Sequence, residues 1–297
     1  MKCLFLYNPF SGKGRVVRYL PLIKKTLNDK FDFVDFYETK SMEDTIEKAK
    51  EACGVYDVLV FSGGDGTFNN VTTGVSSCYK RPILGYIPTG TVNDIARNLN
   101  ISRNIKKALN VIADGNIIQH DVGKINDQYF MYVSAIGTFT GVSYRTEQHA
   151  KRLFGKLAYV FDGIKDIVSP QINKVKIETE KEIVEMNVPL LLVINTISIG
   201  GMRFNKGGHL NDGYFDIVLV KKGNTKGIFN ILKLFLLGIG HKKTTGHFLC
   251  LKSKDFKITI DNNAIWCVDG EAGPKGIVHI QNLHNHLHIY SPKRKKH

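Results

Sequence analysis

The sequence predicts two domains: an N-terminal α/β domain with an open, mostly parallel sheet, and a C-terminal β-rich antiparallel domain. Up to about residue 120, short apolar runs end in glycine-bearing turns and lead into helical patterns, which is typical of α/β folds. After Asp121 short alternating segments separated by turn residues indicate antiparallel strands. The length of 297 residues, 43% of them hydrophobic, suffices for two cores. We place the domains at residues 1–122 and 123–297, with the last strand free to return to the first domain.

The elements of the first domain are predicted in the order strand, turn and helix. Residues 3–7 form an apolar strand, and a glycine-rich turn connects them to a helical pattern over residues 15–27. Residues 31–37 alternate as a strand does, and Ser41 followed by Asp44 resembles a capping box at a helix start. Two more strands, at residues 56–61 and 82–87, each end in a turn, and a further helix starts at about Asn93.

The second domain is predicted from alternation of apolar and polar residues. The predicted strands cover residues 129–136, 174–179, 189–197, 215–220, 255–260, 265–268 and 284–290. Two helical patterns interrupt them, at residues 145–168 and 226–240. His284, His286 and His288 alternate along the last strand, and with no carboxylate or cysteine beside them we expect a structural role.

The composition predicts a soluble cytoplasmic protein. No apolar run reaches the ~20 residues of a transmembrane helix, and the N-terminal apolar stretch is too short for a signal peptide. The five cysteines are scattered and include no CxxC pair. We therefore expect a reduced chain with neither a disulfide framework nor a zinc finger.

The net charge of +14 favours an anionic partner. Residues 1–122 carry +3 and residues 123–297 carry +11. Nucleic acid, a phosphorylated metabolite and an anionic membrane surface would each fit, and a solvated lysine-rich surface is the alternative. Because the chain contains no basic–aromatic module typical of nucleic-acid binding, we expect no nucleic acid partner.

Three polar turns with glycines follow strands of the first domain. They are Asn8-Pro9-Phe10-Ser11-Gly12-Lys13-Gly14, Gly63-Gly64-Asp65-Gly66-Thr67 and Pro88-Thr89-Gly90-Thr91-Val92-Asn93-Asp94. The carboxyl ends of parallel strands meet at one edge of a sheet, so the turns should face a common ligand. Glycines let main-chain N–H groups approach phosphate oxygens, and Lys13, Arg97, Thr67 and Thr91 could add charge and hydroxyl groups. The turns therefore predict a nucleotide-phosphate site.

Two common nucleotide motifs are absent from the sequence. No GxxxxGK[ST] string occurs, and Val17 stands where the third glycine of a dinucleotide fingerprint would fall, so a dehydrogenase is disfavoured. Tight turns between strands and helices also need glycine for backbone reasons alone, which is the alternative for each single turn.

The motifs together resemble the diacylglycerol kinase catalytic-domain family, which includes bacterial diacylglycerol kinases, related lipid kinases, and sphingosine and ceramide kinases. The resemblance rests on the opening Asn8-Pro9, on the two glycine motifs at 63–67 and 90–97, on Asn211-Asp212-Gly213 and on Val268-Asp269-Gly270-Glu271. It implies ATP-dependent transfer of the γ-phosphoryl group to a lipid hydroxyl, most directly diacylglycerol to phosphatidic acid. It also implies an NAD-kinase-like first domain, with the active site in a cleft between the two domains.

The resemblance implies roles for individual residues. Glu271 would be the general base that takes the proton of the lipid hydroxyl, with Asp269 beside it in the catalytic turn. Asp65 and Asp94 would organise Mg²⁺ around the triphosphate. The nucleotide would be held by Asn8, Pro9, Ser11, Gly12, Lys13, Thr39, Gly63, Gly64, Asp65, Gly66, Thr67, Asn70, Gly90, Thr91, Asn93 and Asp94.

A second Mg²⁺ is implied at the Asn211-Asp212-Gly213-Tyr214 segment. Its ligands would be the Asp212 carboxylate and the carbonyl oxygens of His209 and Tyr214, an oxygen set that suits Mg²⁺. The family commonly has a second aspartate where this chain has Asn211, so one charge is missing. The chain also departs from the family at Phe68-Asn69-Asn70, where a glutamate is replaced by Asn70. An Asx-Gly hairpin turn is the alternative for the segment at 211–214.

The substrate implied by the resemblance is a lipid at the membrane surface. Residues 227–240 are almost entirely apolar and are flanked by lysines, which would suit peripheral association with anionic lipids; a buried helix is the alternative. Residues 151–161 are a second candidate. Exposed edge strands in the second domain would permit a homodimer. The remaining functional alternatives are an NAD kinase and a nucleotide-binding regulatory protein without catalysis.

Overall fold

The computed structural model describes residues 1–10, 14–137, 172–199, 202–222, 230–231, 234, 238–239, 246–261 and 264–293. The chain divides into two compact units. The first consists of residues 1–122, 198–202 and 284–297, and the second of residues 123–197 and 203–283. The predicted helix at 145–168 and the second membrane candidate at 151–161 lie outside the described residues.

The first unit is an α/β fold with a parallel sheet, as the sequence predicts. Its elements are β1 (Lys2–Tyr7), α1 (Arg15–Lys30), β2 (Phe33–Glu38), α2 (Met42–Glu51), β3 (Val58–Gly63), α3 (Asp65–Ser76), β4 (Ile83–Pro88), α4 (Asp94–Asn98) and α5 (Ile105–Asp114). The strands pair in the order β2-β1-β3-β4, all parallel. Every residue of β3 is buried, which is expected for a central strand covered on both faces.

In the first unit, one helix start was predicted from a local sequence pattern and one helix was not. The Ser41 side chain accepts a hydrogen bond from the Asp44 main-chain N–H at 3.1 Å, so the predicted cap of α2 is confirmed. Helix α5 was not predicted, although its signal was present in the sequence. Ile105, Ala108, Leu109 and Ile112 recur at helical spacing and are all buried.

The second unit consists of antiparallel sheets, which confirms the predicted change of fold class. Two strands, β5 (Ile117–Ile125) and β18 (Val278–Tyr290), run along the chain from one unit into the other. The other elements after α5 are β6 (Gln128–Phe130), β7 (Val133–Gly137), β8 (Asn173–Thr179), β9 (Ile183–Val188), β10 (Leu190–Ile194), β11 (Ser198–Ile199), β12 (Met202–Arg203), β13 (Phe215–Val220), β14 (Phe248–Ser253), β15 (Asp255–Ile260), β16 (Ile265–Val268) and β17 (Glu271–Lys275).

The sheets of the second unit enclose one apolar core. One sheet has the order β14-β13-β10-β7-β16-β17, and β9, β8 and β15 pair in that order up to the first residues of β18. Trp266, Phe215 and Phe130 are completely buried in this core, and the Phe130 and Phe215 rings stack at 5.4 Å between centroids.

Several predicted strands differ from the structure. The strand predicted at 129–136 is interrupted at Met131 and Tyr132, because the Asp269 carboxylate accepts their main-chain N–H groups. The strand predicted at 284–290 is the second half of the longer β18. The strands that were not predicted are β5, β9, β11, β12, β14 and β17.

The expectation of a fully reduced chain is wrong for one cysteine pair. Cys53 and Cys78 form a disulfide, with their Cα atoms 6.3 Å apart. The pair meets because α2 packs closely on α3, where a Cβ at Gly74 would overlap the Ile46 carbonyl oxygen. The free cysteines among the described residues are Cys3, Cys250 and Cys267.

The predicted apolar helix at 226–240 is described at only a few positions. Asn230, Ile231 and Leu234 are helical and buried. The Asn230 side chain donates to the Lys221 carbonyl oxygen at 2.9 Å and contacts His247 Nδ1 at 2.6 Å. At these positions the structure therefore favours the buried alternative. In the part of the chain that the structure describes, no helix combines the length and apolar character needed to cross a membrane.

Candidate active site

The second and third glycine turns are joined by the carboxylate of Asp65. Asp65 is the first residue of α3, and its two carboxylate oxygens accept the main-chain N–H groups of Asp94 at 3.1 Å and Ile95 at 3.0 Å. These N–H groups lie in the first turn of α4, where a carboxylate interacts favourably with the helix dipole. Burial raises the pKa of Asp65, and the N–H bonds oppose that shift. One side chain thus fixes the geometry of two predicted nucleotide-binding motifs.

The same two turns touch through their backbones at glycines. A Cβ at Gly90 would overlap the Cα of Gly64, so a larger residue at either position would force the turns apart. The Gly63 carbonyl oxygen accepts the N–H groups of Thr89 at 2.8 Å and Gly90 at 3.2 Å. Asn93 has a φ of 55°, and its Nδ2 donates to the Gly90 carbonyl oxygen at 2.7 Å. The glycines are therefore required for close approach, independently of any ligand.

The N-terminus of α3, which is part of the turn at residues 63–67, is accessible to solvent. Its N-cap, Gly64, has no side-chain cap, and a Cβ at Gly66 would project into open space. The Thr67 side chain lies over Gly63 and is half-buried, as is Asn70 one turn further along. Because the first N–H groups of a helix attract anions, this surface could accept phosphate oxygens.

Asn8 and Thr39, two of the residues predicted to bind the nucleotide, directly follow β1 and β2, which are neighbouring parallel strands. The Thr39 N–H donates to the Tyr7 carbonyl oxygen at 2.9 Å, and Thr39 is buried. Asn8 Oδ1 accepts the N–H of Phe10 at 2.8 Å across Pro9. The other predicted residues of this turn, Ser11, Gly12 and Lys13, lie outside the described residues.

An open cavity of about 290 Å³ adjoins the third turn. It is lined by Asn93, Arg97, Asn100, Ile101 and Arg103. Thr91, which was predicted to bind the nucleotide, is exposed and lies two positions before Asn93 in the chain. Arg97 Nη1 lies 3.3 Å from the buried carboxylate of Asp94. Arg97 belongs to the predicted third turn and its helix, whereas Arg103 was not predicted, because residues 101–104 belong to no motif. Two arginines on one cavity favour an anionic ligand.

In the second unit, the carboxylate of Asp269 is engaged with the protein backbone. It accepts the N–H groups of Met131 at 2.6 Å, Tyr132 at 3.1 Å and Val133 at 2.9 Å. The Asp269 carbonyl oxygen also accepts a hydrogen bond from the Tyr132 hydroxyl at 2.9 Å. Asp269 has a φ of 50°, so these contacts hold a turn in a conformation that few residues adopt. This geometry suits a positioning residue, which the motif alone did not reveal.

Glu271 follows that turn as the first residue of β17. Its side chain is exposed, and within the described ranges its carboxylate has no hydrogen-bond or ion-pair partner. Gly270 precedes it with a φ of 93°, which keeps the turn tight between β16 and β17. An exposed carboxylate on a rigid turn is free to accept a proton from a ligand.

The segment predicted to bind Mg²⁺, residues 211–214, contacts the side chain of Lys252. Asp212 Oδ1 accepts the Tyr214 N–H at 3.1 Å, and Oδ2 lies 2.6 Å from Lys252 Nζ. His209 is exposed, and the described part of the chain contains no group of three histidine, cysteine or acidic residues that could hold a metal ion. Because the Lys252 ammonium pairs with Oδ2 and Asp212 is the one carboxylate in residues 209–214, this donor set does not fit Mg²⁺.

The alternating histidines of β18 have separate partners, and one partner is a carboxylate that the sequence pattern did not reveal. His284 Nδ1 lies 3.0 Å from the buried Asp121 carboxylate, and His286 Nε2 lies 3.2 Å from the Ser76 carbonyl oxygen. His288 Nε2 lies 3.4 Å from Gln119 Nε2.

The sequence of this chain is similar to those of known proteins. Residues 2–125 match the family model described as the diacylglycerol kinase catalytic domain. A diacylglycerol kinase of Staphylococcus carnosus is 34% identical over 98% of this chain and 95% of its own length. A diacylglycerol kinase of Bacillus subtilis is 31% identical over 98% of this chain and 96% of its own length.

A solved structure supports the same assignment. The crystal structure of a diacylglycerol kinase from Bacillus anthracis has a TM-score of 0.84 and 26% sequence identity, covering 98% of this chain and 97% of the other. The chain therefore belongs to the diacylglycerol kinase family and is a kinase.

Proposed function

We propose that the protein is an ATP-dependent kinase that transfers the γ-phosphoryl group to the hydroxyl of diacylglycerol, giving phosphatidic acid. The observation that carries the proposal is the exposed carboxylate of Glu271, which has no partner in the described part of the chain and lies on a turn held by Asp269. The names of relatives that match nearly the whole chain support diacylglycerol as the acceptor.

The first unit would hold ATP through the main-chain N–H groups of the turns at 63–67 and 88–94 and the N-terminus of α3. A nucleotide-bound Mg²⁺ supplies charge neutralisation during phosphoryl transfer. The carboxylates of Asp65 and Asp94 are already engaged by main-chain N–H groups and by Arg97. We therefore assign them to holding the turns in place and not to ligating the ion.

Glu271 would act as the general base. As the lipid oxygen forms its bond to the γ-phosphorus, its proton passes to the Glu271 carboxylate, and the bond between the γ-phosphorus and the bridging oxygen breaks to release ADP. Positioned proton transfer typically contributes ~10²–10⁴-fold to the rate. Asp269 contributes by fixing the backbone of the turn, and it does not exchange a proton itself.

The enzyme would meet its substrate at an anionic membrane surface, as a cytoplasmic protein with peripheral association. Residues 1–28 contain six basic and no acidic side chains, and residues 95–113 contain four basic and no acidic ones. These segments include α1 and α5, which pack together, and Arg15 donates to the Arg103 carbonyl oxygen at 3.4 Å. Phe10 is 85% exposed and Val17 is 46% exposed on the same stretch of chain. Cations around exposed apolar side chains fit an anionic bilayer.

Phosphate transfer from radiolabelled ATP tests the proposal. Mixed micelles would each contain one acceptor, namely diacylglycerol, phosphatidylglycerol, a sphingoid base or a polyprenol, and NAD would be offered in solution. We expect label in diacylglycerol. Label in another lipid alcohol would correct the acceptor, label in NAD alone would refute a lipid kinase, and ATP binding without transfer would favour a regulatory nucleotide-binding protein.

A further inference from the structure

Lys252 lies against the turn at residues 211–214, in the position of a counterion. Its ammonium is 2.6 Å from Asp212 Oδ2 and 5.7 Å from the centre of the Tyr214 ring. In the register of β13 and β14, Lys252 is directly opposite Asp216. One carboxylate and one aromatic ring therefore contact this cation, and a second carboxylate lies on the residue opposite it in the ladder.

The charges at this turn are satisfied without an added ion. Asp212 Oδ1 accepts the Tyr214 N–H, and Asp216 Oδ2 accepts a hydrogen bond from Asn205 Nδ2 at 2.6 Å. Asn211, which is neutral, follows Leu210 at the start of the turn. The Lys252 ammonium and the Asp212 carboxylate therefore pair directly, at 2.6 Å.

A divalent cation at Asp212 would have to displace this ammonium. Mg²⁺ needs near-octahedral oxygen ligands at ~2.0–2.1 Å, and two cations sharing one carboxylate oxygen repel each other. The lysine reaches the carboxylate from a neighbouring strand and is part of the fold, so it needs no binding equilibrium. We propose that Lys252 supplies the positive charge that holds the 211–214 turn, and that the folded turn does not depend on a divalent cation.

Thermal unfolding without nucleotide tests this proposal separately from catalysis. The wild-type protein, Lys252→Met and Asp212→Asn would be compared in EDTA and in millimolar Mg²⁺. Methionine keeps most of the aliphatic length of lysine and removes the charge. Lys254→Met is the matched control, since Lys254 is on the same segment and forms an exposed ion pair with Glu180 at 3.7 Å.

We expect the wild-type melting temperature to be the same in EDTA and in Mg²⁺. Lys252→Met and Asp212→Asn should each melt lower by roughly 2–4 °C, as a loss of about 1 kcal/mol predicts, while Lys254→Met should not shift. A wild-type Tm that rises in Mg²⁺, with the rise lost in Asp212→Asn, would overturn the proposal. A Lys252→Met protein as stable as wild type in EDTA would also overturn it. If Lys252→Met does not fold, the shift of Asp212→Asn and the Mg²⁺ response of the wild type decide the question.

Discussion

Asp65 and Ile95 are joined by a 3.0 Å hydrogen bond from the Ile95 N–H to the Asp65 carboxylate, and the N–H of Asp94 binds the other carboxylate oxygen. The residues are 30 positions apart in sequence, and each follows a different strand of the parallel sheet. This contact turns two separate glycine motifs into one rigid surface. It also gives Asp65 a structural role that requires no contact with the proposed nucleotide.

Replacing Asp65 by asparagine should loosen this surface. The amide has one acceptor oxygen, and its Nδ2 group would face a main-chain N–H. A hydrogen bond to a charged group contributes ~1.5–3 kcal/mol, so we expect the Kd for ATP to rise roughly 10–100-fold. Equilibrium binding of ATP measures this, with Asp57→Asn as the control, since Asp57 accepts the Lys2 N–H elsewhere in the unit. Unchanged ATP affinity in Asp65→Asn would contradict the proposed role.

Replacing Asp269 by asparagine should lower both stability and turnover. The variant loses an acceptor for the N–H groups of residues 131–133, and we expect a loss of ~1.5–3 kcal/mol in the free energy of unfolding. The kcat should fall because Glu271 is less well positioned, while the KM for ATP stays the same. Denaturant unfolding and steady-state kinetics measure these effects, with the exposed Asp261→Asn as the control. Normal stability with lost activity would instead indicate a direct chemical role for Asp269.

The protein should lose stability on acidification through two histidines, the buried His120 and the half-buried His286. Burial, with the charge of Arg81, lowers the pKa of His286 to about 4, and burial also lowers the pKa of His120. In the unfolded chain both should titrate near 6.5, so the unfolded state binds more protons between pH 6.5 and 4. The free energy of unfolding should therefore fall as the pH falls through this window.

Denaturant unfolding at several pH values checks this dependence. His286→Gln should show a shallower decline than the wild type, and the exposed His288→Gln should not differ from it. Parallel pH profiles for the wild type and His286→Gln would contradict the assignment to His286.

Binding to anionic membranes should depend on α1. Each basic residue near an anionic surface contributes ~1 kcal/mol, so Arg15→Glu with Arg18→Glu should weaken binding to phosphatidylglycerol-containing vesicles by more than roughly 10-fold. The control is Lys181→Glu with Lys257→Glu, which makes the same charge change at exposed positions of the second unit. Vesicle sedimentation at two salt concentrations measures the effect. Equal losses in both double variants would indicate a nonspecific charge effect.

The sequence predicted what depends on local patterns. Apolar runs ending in glycine turns located β1, β3 and β4, and Ser41 marked the start of α2. Contacts between residues distant in sequence could not be predicted in this way. The Asp269 bonds to residues 131–133 interrupt a continuous apolar stretch, and Lys252 reaches Asp212 across 40 positions. The Cys53–Cys78 pair likewise depends on the packing of α2 on α3.

The measurement that tests the central claim most directly is phosphate transfer by Glu271→Gln. Glutamine keeps the shape of the side chain and cannot take the proton, so we expect transfer from ATP to diacylglycerol in mixed micelles to fall ~10²–10⁴-fold with unchanged ATP affinity. Glu182→Gln, an exposed glutamate in the same unit, should transfer at the wild-type rate. A Glu271→Gln protein that phosphorylates diacylglycerol as fast as the wild type would contradict the account.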